Sequence, residues 1–306
     1  MRIIITGGTG LIGRPLSTKL AAAGYEVIIL SRNPDKHDLP KEIQAVKWDG
    51  KTAENWGHLA DGAKAIFNLA GENISGSGFI PSRWTPERKE RIRQSRLMAG
   101  QAVTQAVAQA TRKPEVVLQA SGIDYYPAGD DLQTEDSPPG DSFLAEVVTR
   151  YWEPATAEVE KIGVRRVIMR TGIVLAKEGG ALPITVLPFK LFAGGPLGAG
   201  TQWWSWIHIV DVVRAMQFLM ENEAATGPVN LVSPHPLTNK AFAVTIGQVL
   251  NRPAFVSAPA FALKLGLGEI STIVLDGRRV SCQKLLDLGF TFLFPDARSA
   301  LADLLG

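Results

Sequence analysis

The stretch Ile3-Ile4-Ile5-Thr6-Gly7-Gly8-Thr9-Gly10-Leu11-Ile12-Gly13, close to the N-terminus, decides the fold. The β-branched run of isoleucines predicts a buried strand, and a helix is expected to open just beyond the glycines, at Pro15 and Leu16. Glycines at 7, 10 and 13 let the backbone turn sharply, approach a pyrophosphate closely and pack the helix on the strand. The N–H groups at the positive end of that helix would hold the anion.

The glycine spacing is G-x-x-G-x-x-G, whereas many dehydrogenases carry G-x-G-x-x-G. Glycines alone are a weak signal, but their position between a strand and a helix makes them a stronger one. The alternative is a purely structural strand-to-helix turn that holds no ligand. The predicted cofactor contacts in the loop are Gly7, Thr9, Gly10, Leu11, Ile12 and Gly13.

Strands and helices alternate along the next 160 residues, which is typical of a doubly wound α/β sheet. The predicted strands are 3–5, 26–30, 45–48, 65–69, 115–120 and 164–169, and the alternation resumes at 207–222 and 229–232. The fold class is therefore α/β, a Rossmann-type doubly wound parallel sheet with a smaller C-terminal α/β substrate cap. Residues 1–172 and 205–234 are assigned to the cofactor domain, and residues 173–204 and 235–306 to the substrate domain.

The end of the second strand favours NADP over NAD. An NAD-specific protein usually carries an acidic residue here for the ribose hydroxyls, whereas this chain has Ser31-Arg32. Arg32, with Arg14 beyond the glycine loop, would pair with a 2′-phosphate, although a solvated loop cation is the alternative for Arg32. Later strand ends add further predicted cofactor contacts: Asp49 beside the adenine, then Leu69, Ala70, Gly71, Glu72 and Ser121. For residues 69–72 a plain tight strand end is the alternative.

Two helices shape the middle of the chain. Thr85 and Pro86 predict the start of a long helix that runs from Glu87 to about Ala110. On it Arg88, Arg91 and Gln94 are expected on the solvated face, and Ile92, Met98 and Val103 on the inner face. The stretch 143–162 has a helical pattern, but Pro154 should kink or split it. Between them, 130–142 is predicted to be an acidic loop.

The composition excludes several classes of function. Of the 306 residues, 45% are hydrophobic and 20% are charged, which is ordinary for a globular enzyme. The net charge is +2, so nucleic-acid binding is unsupported, and the basic region 83–96 is interpreted as a helix surface. A single cysteine excludes an internal disulfide, and four scattered histidines give no metal-ligand spacing. With no signal peptide and no apolar run of about 18 residues, we expect a soluble cytoplasmic protein that does not enter membranes.

Several stretches together resemble the extended short-chain dehydrogenase/reductases, a family that includes nucleotide-sugar epimerases. They are 68–72 (NLAGE), 83–85 (RWT), 121–126 (SGIDYY), 170–175 (RTGIVL), 206–209 (WIHI), 277–280 (GRRV) and 288–290 (LGF). In combination they are similar to the atypical subgroup called "epimerase family protein", once labelled a cell-division-inhibitor homologue. The resemblance covers nearly the whole chain and implies binding of a nicotinamide cofactor.

In the parent family a serine, a tyrosine and a lysine carry out the proton transfer, the tyrosine and lysine being spaced Y-x-x-x-K. Ser121 matches the serine, but no tyrosine in this chain has a lysine four residues later. The resemblance therefore implies a cofactor without the standard chemistry. Tyr125 and Glu146 are candidate substitutes, and the alternative for Tyr125 is a ring packed beneath the cofactor.

Substrate contacts are expected from His208, Trp206, Arg278 and Arg279, the two arginines for an anionic group such as a diphosphate. Surface arginines and an interior histidine are the alternatives, and Asp211 is predicted to cap the following helix. Two functions stay open. One is an NADP(H)-dependent oxidoreductase or epimerase acting on a small polar or sugar-nucleotide-like molecule, and the other is a non-catalytic NADP(H)-binding sensor. The chain is expected to be a monomer or a homodimer.

Overall fold

The computed structural model describes residues 1–36, 39–76, 78 and 81–306. Its central feature is a seven-stranded sheet in which every neighbouring pair is parallel, in the order β3-β2-β1-β4-β5-β7-β11. These strands are β1 (Arg2–Thr6), β2 (Glu26–Ser31), β3 (Ile43–Lys47), β4 (Ala65–Asn68), β5 (Val116–Gly122), β7 (Arg165–Thr171) and β11 (Gly227–Leu231). The strand order reverses beside β1, as in a doubly wound sheet, and the predicted fold class is confirmed.

Helices cover both faces of the sheet because successive strand residues alternate between two apolar cores. Ile3 and Ile5 point into one core, with α1 and α6, while Ile4 and Ile66 point into the other, with α2. These helices are α1 (Gly13–Ala22), α2 (Pro86–Gln109) and α6 (Ile209–Glu221). A strand buried on both faces is expected to be continuously apolar, and β1 satisfies this.

The predicted break at Pro154 is confirmed, and the backbone is irregular over a full turn. The segment divides into α3 (Phe143–Glu146), a π-helical turn (Val147–Trp152), a 3₁₀ turn (Pro154–Thr156) and α4 (Glu158–Lys161). Proline has no N–H to continue the ladder, and π-turns of this kind are frequent at functional sites.

A third core lies outside the main sheet. It is built from Trp204, Trp206, Phe242 and the last helix among others, and is distinct from the two cores on the sheet. Apart from α6 and β11, the elements that follow β7 along the chain include β8 (Ile173–Leu175), α5 (Ala181–Lys190), β9 (Trp203–Trp204), β10 (Trp206–His208), β12 (Leu237–Thr238), α7 (Asn239–Leu250), α8 (Ala260–Leu267), α9 (Thr272–Leu275), α10 (Gln283–Asp287) and α11 (Ala297–Leu305). The domain limits predicted from the sequence stay a prediction.

Four local predictions are wrong, and the fourth concerns the cap of α6. The expected acidic loop contains β6 (Gly129–Gln133), which forms because β13 (Arg278–Val280), distant in sequence, pairs with it. Arg88 is buried, and its guanidinium donates to the Asn73 carbonyl at 2.7 Å, while Met98 is only half-buried.

None of the described helices is long and apolar enough to cross a membrane.

Asp211 was expected to cap α6, but His208 does so, because its Nδ1 accepts the Val210 N–H at 3.1 Å. The buried Asp211 carboxylate instead accepts the N–H groups of Leu293 and Phe294 and pairs with Arg214.

Candidate functional site

A cavity of about 1400 Å³ runs from the glycine loop, past the carboxyl ends of β5 and β7, to helices α5 and α8. This is where an open α/β sheet binds its ligands. The cavity exceeds the roughly 300–1000 Å³ of an ordinary ligand pocket, so it has room for a dinucleotide and a second molecule. Of the residues predicted from sequence, the described lining includes Gly7, Gly10, Leu11, Ile12, Gly13, Leu69, Ser121 and Arg278.

A side chain would have different steric consequences at different glycines of the loop. A Cβ on Gly13 would lie 2.3 Å from the Gly7 carbonyl oxygen, and one on Gly7 would lie 2.9 Å from the Leu69 backbone. Both positions therefore need glycine for the backbone to close. A Cβ on Gly10 would meet only the Gly7 oxygen, at 3.3 Å, and Gly10 lines the cavity.

The start of α1 presents donors to this cavity. Among the described residues, no hydrogen-bond acceptor is found for the backbone N–H groups of Leu11, Ile12 and Gly13. The N-cap residue supplies no side-chain cap, and the first turn carries no acidic side chain. Unpaired N–H groups at a helix N-terminus fit a phosphate, so the donors present match a dinucleotide pyrophosphate.

Side-chain hydrogen bonds hold the carboxyl ends of three strands in register behind the loop. Thr6 Oγ1 donates to Asn68 Oδ1 at 2.7 Å, and Asn68 Nδ2 donates to Gln119 Oε1 at 2.9 Å. Thr6 Oγ1 also accepts the Ala70 N–H, which fixes the chain beyond β4. All three side chains are fully buried, so this edge of the sheet is rigid.

The side chains predicted to contact the adenosine half have local partners. Ser31 is buried and accepts the Asn33 N–H, whereas Arg32 is exposed and forms no ion pair with any described residue. Asp49 accepts the N–H groups of Thr52 and Lys51. Burial alone would raise the pKa of Asp49, but these hydrogen bonds outweigh it and the pKa is lowered. Asp49 is therefore an ionised residue that closes its own turn.

The remaining predicted residues after β4 pack against α2. Glu72 pairs with Arg91 at 3.1 Å, and its N–H donates to Ser95. Gly71 lies close to Arg96, since a Cβ there would be 3.2 Å from the guanidinium carbon. Thr9 is half-buried in the glycine loop.

Ser121 lies at the cavity, but its hydroxyl is engaged. It donates a hydrogen bond to Glu153 Oε1 at 2.6 Å. The same carboxylate accepts hydrogen bonds from Nε and Nη2 of Arg170, at 2.9 and 3.1 Å. Arg170 also donates to the Tyr126 hydroxyl, and its guanidinium carbon lies 3.4 Å from the centre of the Tyr125 ring. Ser121 is therefore part of a buried ionic network.

The two tyrosines next to Ser121 differ from the activated tyrosine of the resemblance. Burial, only partly offset by Arg170, raises the pKa of Tyr126 to about 12, and its hydroxyl donates to Asn230 Oδ1. Tyr125 stacks against the Arg170 guanidinium. Glu146 pairs with Arg93 at 3.2 Å on the outer side of the helical segment.

The helical segment that would carry a tyrosine–lysine pair turns an apolar face to the cavity. Its lining side chains are Leu144, Val147, Val148 and Trp152. The Arg96 guanidinium lies over the Trp152 ring at 4.4 Å, and burial lowers the pKa of Arg96 to about 10.

Sequence reasoning missed Asp124, a carboxylate two residues beyond the end of β5. It lines the cavity, and Arg278 Nη1 lies 3.2 Å from its Oδ1. Burial raises the pKa of Asp124, while the charges of Arg278 and Arg96 oppose the rise. The signal was present, because Asp124 stands three residues after Ser121 in the stretch that carried the resemblance.

Only one of the residues predicted to contact substrate lies among the described lining of the cavity. Arg278 lines the cavity, but it donates to the Tyr126 carbonyl at 2.7 Å and pairs with Asp124. Arg279 lies over the Trp203 ring at 4.8 Å. Trp206 and His208 are buried in the third core and at the start of α6.

The sequence from Ile3 to Val232 matches the family model described as "NAD dependent epimerase/dehydratase family". The chain belongs to this family. Residues 258–304 match a second model, described as a domain of unknown function, DUF1731. The resemblance inferred from the sequence is thereby confirmed.

Known proteins are similar over nearly the whole of this chain. An epimerase family protein of Staphylococcus haemolyticus is 38% identical over 310 residues, which cover 99% of each chain. The crystal structure of human epimerase family protein SDR39U1 (isoform 2) with NADPH superposes with a TM-score of 0.88, at 33% identity and 99% coverage of both chains. A nucleoside-diphosphate sugar epimerase from Corynebacterium glutamicum is 32% identical, with a TM-score of 0.77, and this chain spans 58% of it.

Proposed function

We propose that this protein binds NADP(H) and acts as an oxidoreductase or epimerase on a small molecule, with catalytic residues that differ from the usual set. The observation that carries the proposal is the single cavity of about 1400 Å³ that joins the glycine loop to the C-terminal part of the chain. A protein that only stored a cofactor would not need the additional volume beyond it.

The cofactor would be held at two places. The pyrophosphate would lie against the N–H groups of Leu11, Ile12 and Gly13, which have no acceptor among the described residues. The 2′-phosphate would lie near Arg32, an exposed cation without an ion pair to a described residue, with Ser31 beside it. The NADPH in the human relative supports the same choice of cofactor.

When bound, NADPH supplies the hydride of a carbonyl reduction. This chain must supply the accompanying proton, and Asp124 is the group placed to do so. Its carboxyl lines the cavity just beyond β5, and burial raises its pKa, which favours the protonated form that a proton donor needs. Arg278 contacts the Asp124 carboxylate, and the charges of Arg278 and Arg96 stabilise its ionised form.

A non-catalytic NADP(H) sensor is the second candidate, and one observation favours it. The cavity face of the helical segment is apolar where the related dehydrogenases carry their acid and base. The two candidates differ in whether Asp124 exchanges a proton with a bound substrate.

The cofactor proposal is tested by titrating the protein with NADPH and NADH while following its tryptophan fluorescence, because Trp152, Trp203 and Trp204 line the cavity. We expect NADPH to bind more tightly. Arg32→Glu should reverse the preference, with Lys51→Glu as a control for a nearby exposed charge. Equal affinities in the unmodified protein would remove the basis for NADP, and binding of neither nucleotide would refute the proposed function.

A further inference from the structure

The part of the cavity remote from the glycine loop is lined by apolar side chains. Helix α5 contributes Ile184, Pro188 and Phe189, and helix α8 contributes Leu263 and Leu267. Such a wall makes no hydrogen bonds, so it favours a ligand that has few polar groups to desolvate. This composition is unlike a site for the hydroxyl groups of a sugar.

The charges of the cavity also oppose a nucleoside diphosphate. The described charged lining consists of three carboxylates and two guanidinium groups: Asp124, Glu178, Asp276, Arg96 and Arg278. A diphosphate is normally held by cations in fork geometry.

Both guanidinium groups already form hydrogen bonds or an ion pair within the protein. Arg278 is 8% exposed and is engaged by Asp124 and by the Tyr126 carbonyl. Arg96 donates to the carbonyls of Glu72 and Ile92. A diphosphate placed here would meet more negative charge than free positive charge.

Apolar side chains continue from the cavity to the surface on the same two segments. The positions that face solvent beside the cavity on these two segments are Leu191, Phe192, Phe255, Phe261 and Leu265, and α8 buries none of its residues. The stretch that follows α5 lies beside the stretch that precedes α8, since the Val256 N–H donates to the Gly194 carbonyl at 3.0 Å. Contiguous exposed apolar surface around a pocket marks a binding site for apolar partners.

We propose that the substrate of this cavity is a neutral lipophilic molecule and not a sugar nucleotide. Its apolar body lies between α5 and α8, and its one polar group reaches Asp124. The inference rests on the proposed function for the role of Asp124, but the apolar half of the cavity is independent of cofactor binding.

The test uses the full chain and N-phenyl-1-naphthylamine, a neutral probe that fluoresces in apolar surroundings. Competitors are the alcohols from 1-hexanol to 1-decanol and, separately, UDP-glucose. Each added methylene should tighten competition about fourfold, since burying one CH₂ contributes about 0.8 kcal/mol. UDP-glucose should not displace the probe.

Two variants of α5 locate the site. Ile184 lines the cavity and is 37% exposed, whereas Leu187 is 39% exposed and is absent from the described lining. Ile184→Asn should weaken probe binding roughly tenfold, the loss expected for part of a buried isoleucine. Leu187→Asn should leave it unchanged, and both variants should unfold at the same temperature.

Titration with NADPH in the same samples separates the two proposals. Loss of NADPH binding with normal probe binding would refute the cofactor proposal and leave the lipophilic site standing. Displacement of the probe by UDP-glucose, or equal probe affinity in the Ile184 and Leu187 variants, would overturn the lipophilic site.

Discussion

Replacing Glu153 by glutamine should destabilise the protein more than any surface charge change. The Glu153 side chain is 12% exposed and that of Arg170 is 5% exposed, and two hydrogen bonds of 2.9 and 3.1 Å join them. Burial alone would lower the pKa of Arg170, but Glu153 outweighs burial and raises it, so the guanidinium stays charged. The variant therefore leaves a buried cation without its counter-ion.

Breaking one side of a buried ion pair costs about 3–5 kcal/mol. We expect the lower end, about 3 kcal/mol, because Arg170 keeps the Tyr126 hydroxyl and the Glu135 carbonyl as acceptors. The assay is urea unfolding of the full chain, with the midpoint and slope fitted for each variant.

The matched control is Glu160→Gln, which removes an ion pair of the same 2.9 Å length to Arg166 at the surface. It should cost at most about 1 kcal/mol, because the carboxylate is 49% exposed. Glu153→Gln combined with Arg170→Met should cost clearly less than the sum of the two single variants. Equal losses for Glu153→Gln and Glu160→Gln would refute the assignment of Ser121 to a buried ionic network.

Three further predictions concern the cavity. Gly10→Ala should fold normally but bind NADPH at least tenfold more weakly. Gly13→Ala should lower the thermal unfolding midpoint, because of the two added Cβ atoms only the one at position 13 collides with the backbone. The reverse pattern would contradict the steric assignment. Once a substrate is found, Asp124→Asn should lower kcat of the reduction about 100-fold or more with little change in NADPH affinity. Because the Asp124 pKa is raised and the protonated form donates, reduction should decline as pH rises through that pKa, and a pH profile unaffected by the Asn variant would exclude Asp124 as the donor.

The sheet could be predicted from sequence because its signals are local. A run of isoleucines, a glycine turn and an amphipathic helix each lie within about 20 residues, so the alternation of strand and helix is visible along the chain. The same holds for the break at Pro154. The strand β6 could not be predicted, since its partner β13 lies about 150 residues away in sequence.

Part of the candidate site, too, could be predicted from sequence and part could not. The glycine loop and the absence of a tyrosine–lysine pair can be read from short motifs. The position of Arg96 could not, because a helix surface and a buried stack on Trp152 have the same local sequence. Whether Arg278 was free for an anion depended on Asp124, which only the folded chain places beside it.

The sequence by itself determined the cofactor loop and the family, because both depend on residue types at fixed short spacings. The tertiary structure alone decided which charges remain unpaired and which side chains face the cavity. Those properties depend on distances between β5, β7, α2 and the C-terminal elements, which residue spacing does not encode. Asp124 is therefore visible in the sequence as one acidic residue among many, and only the fold shows that it lines the cavity beside Arg278.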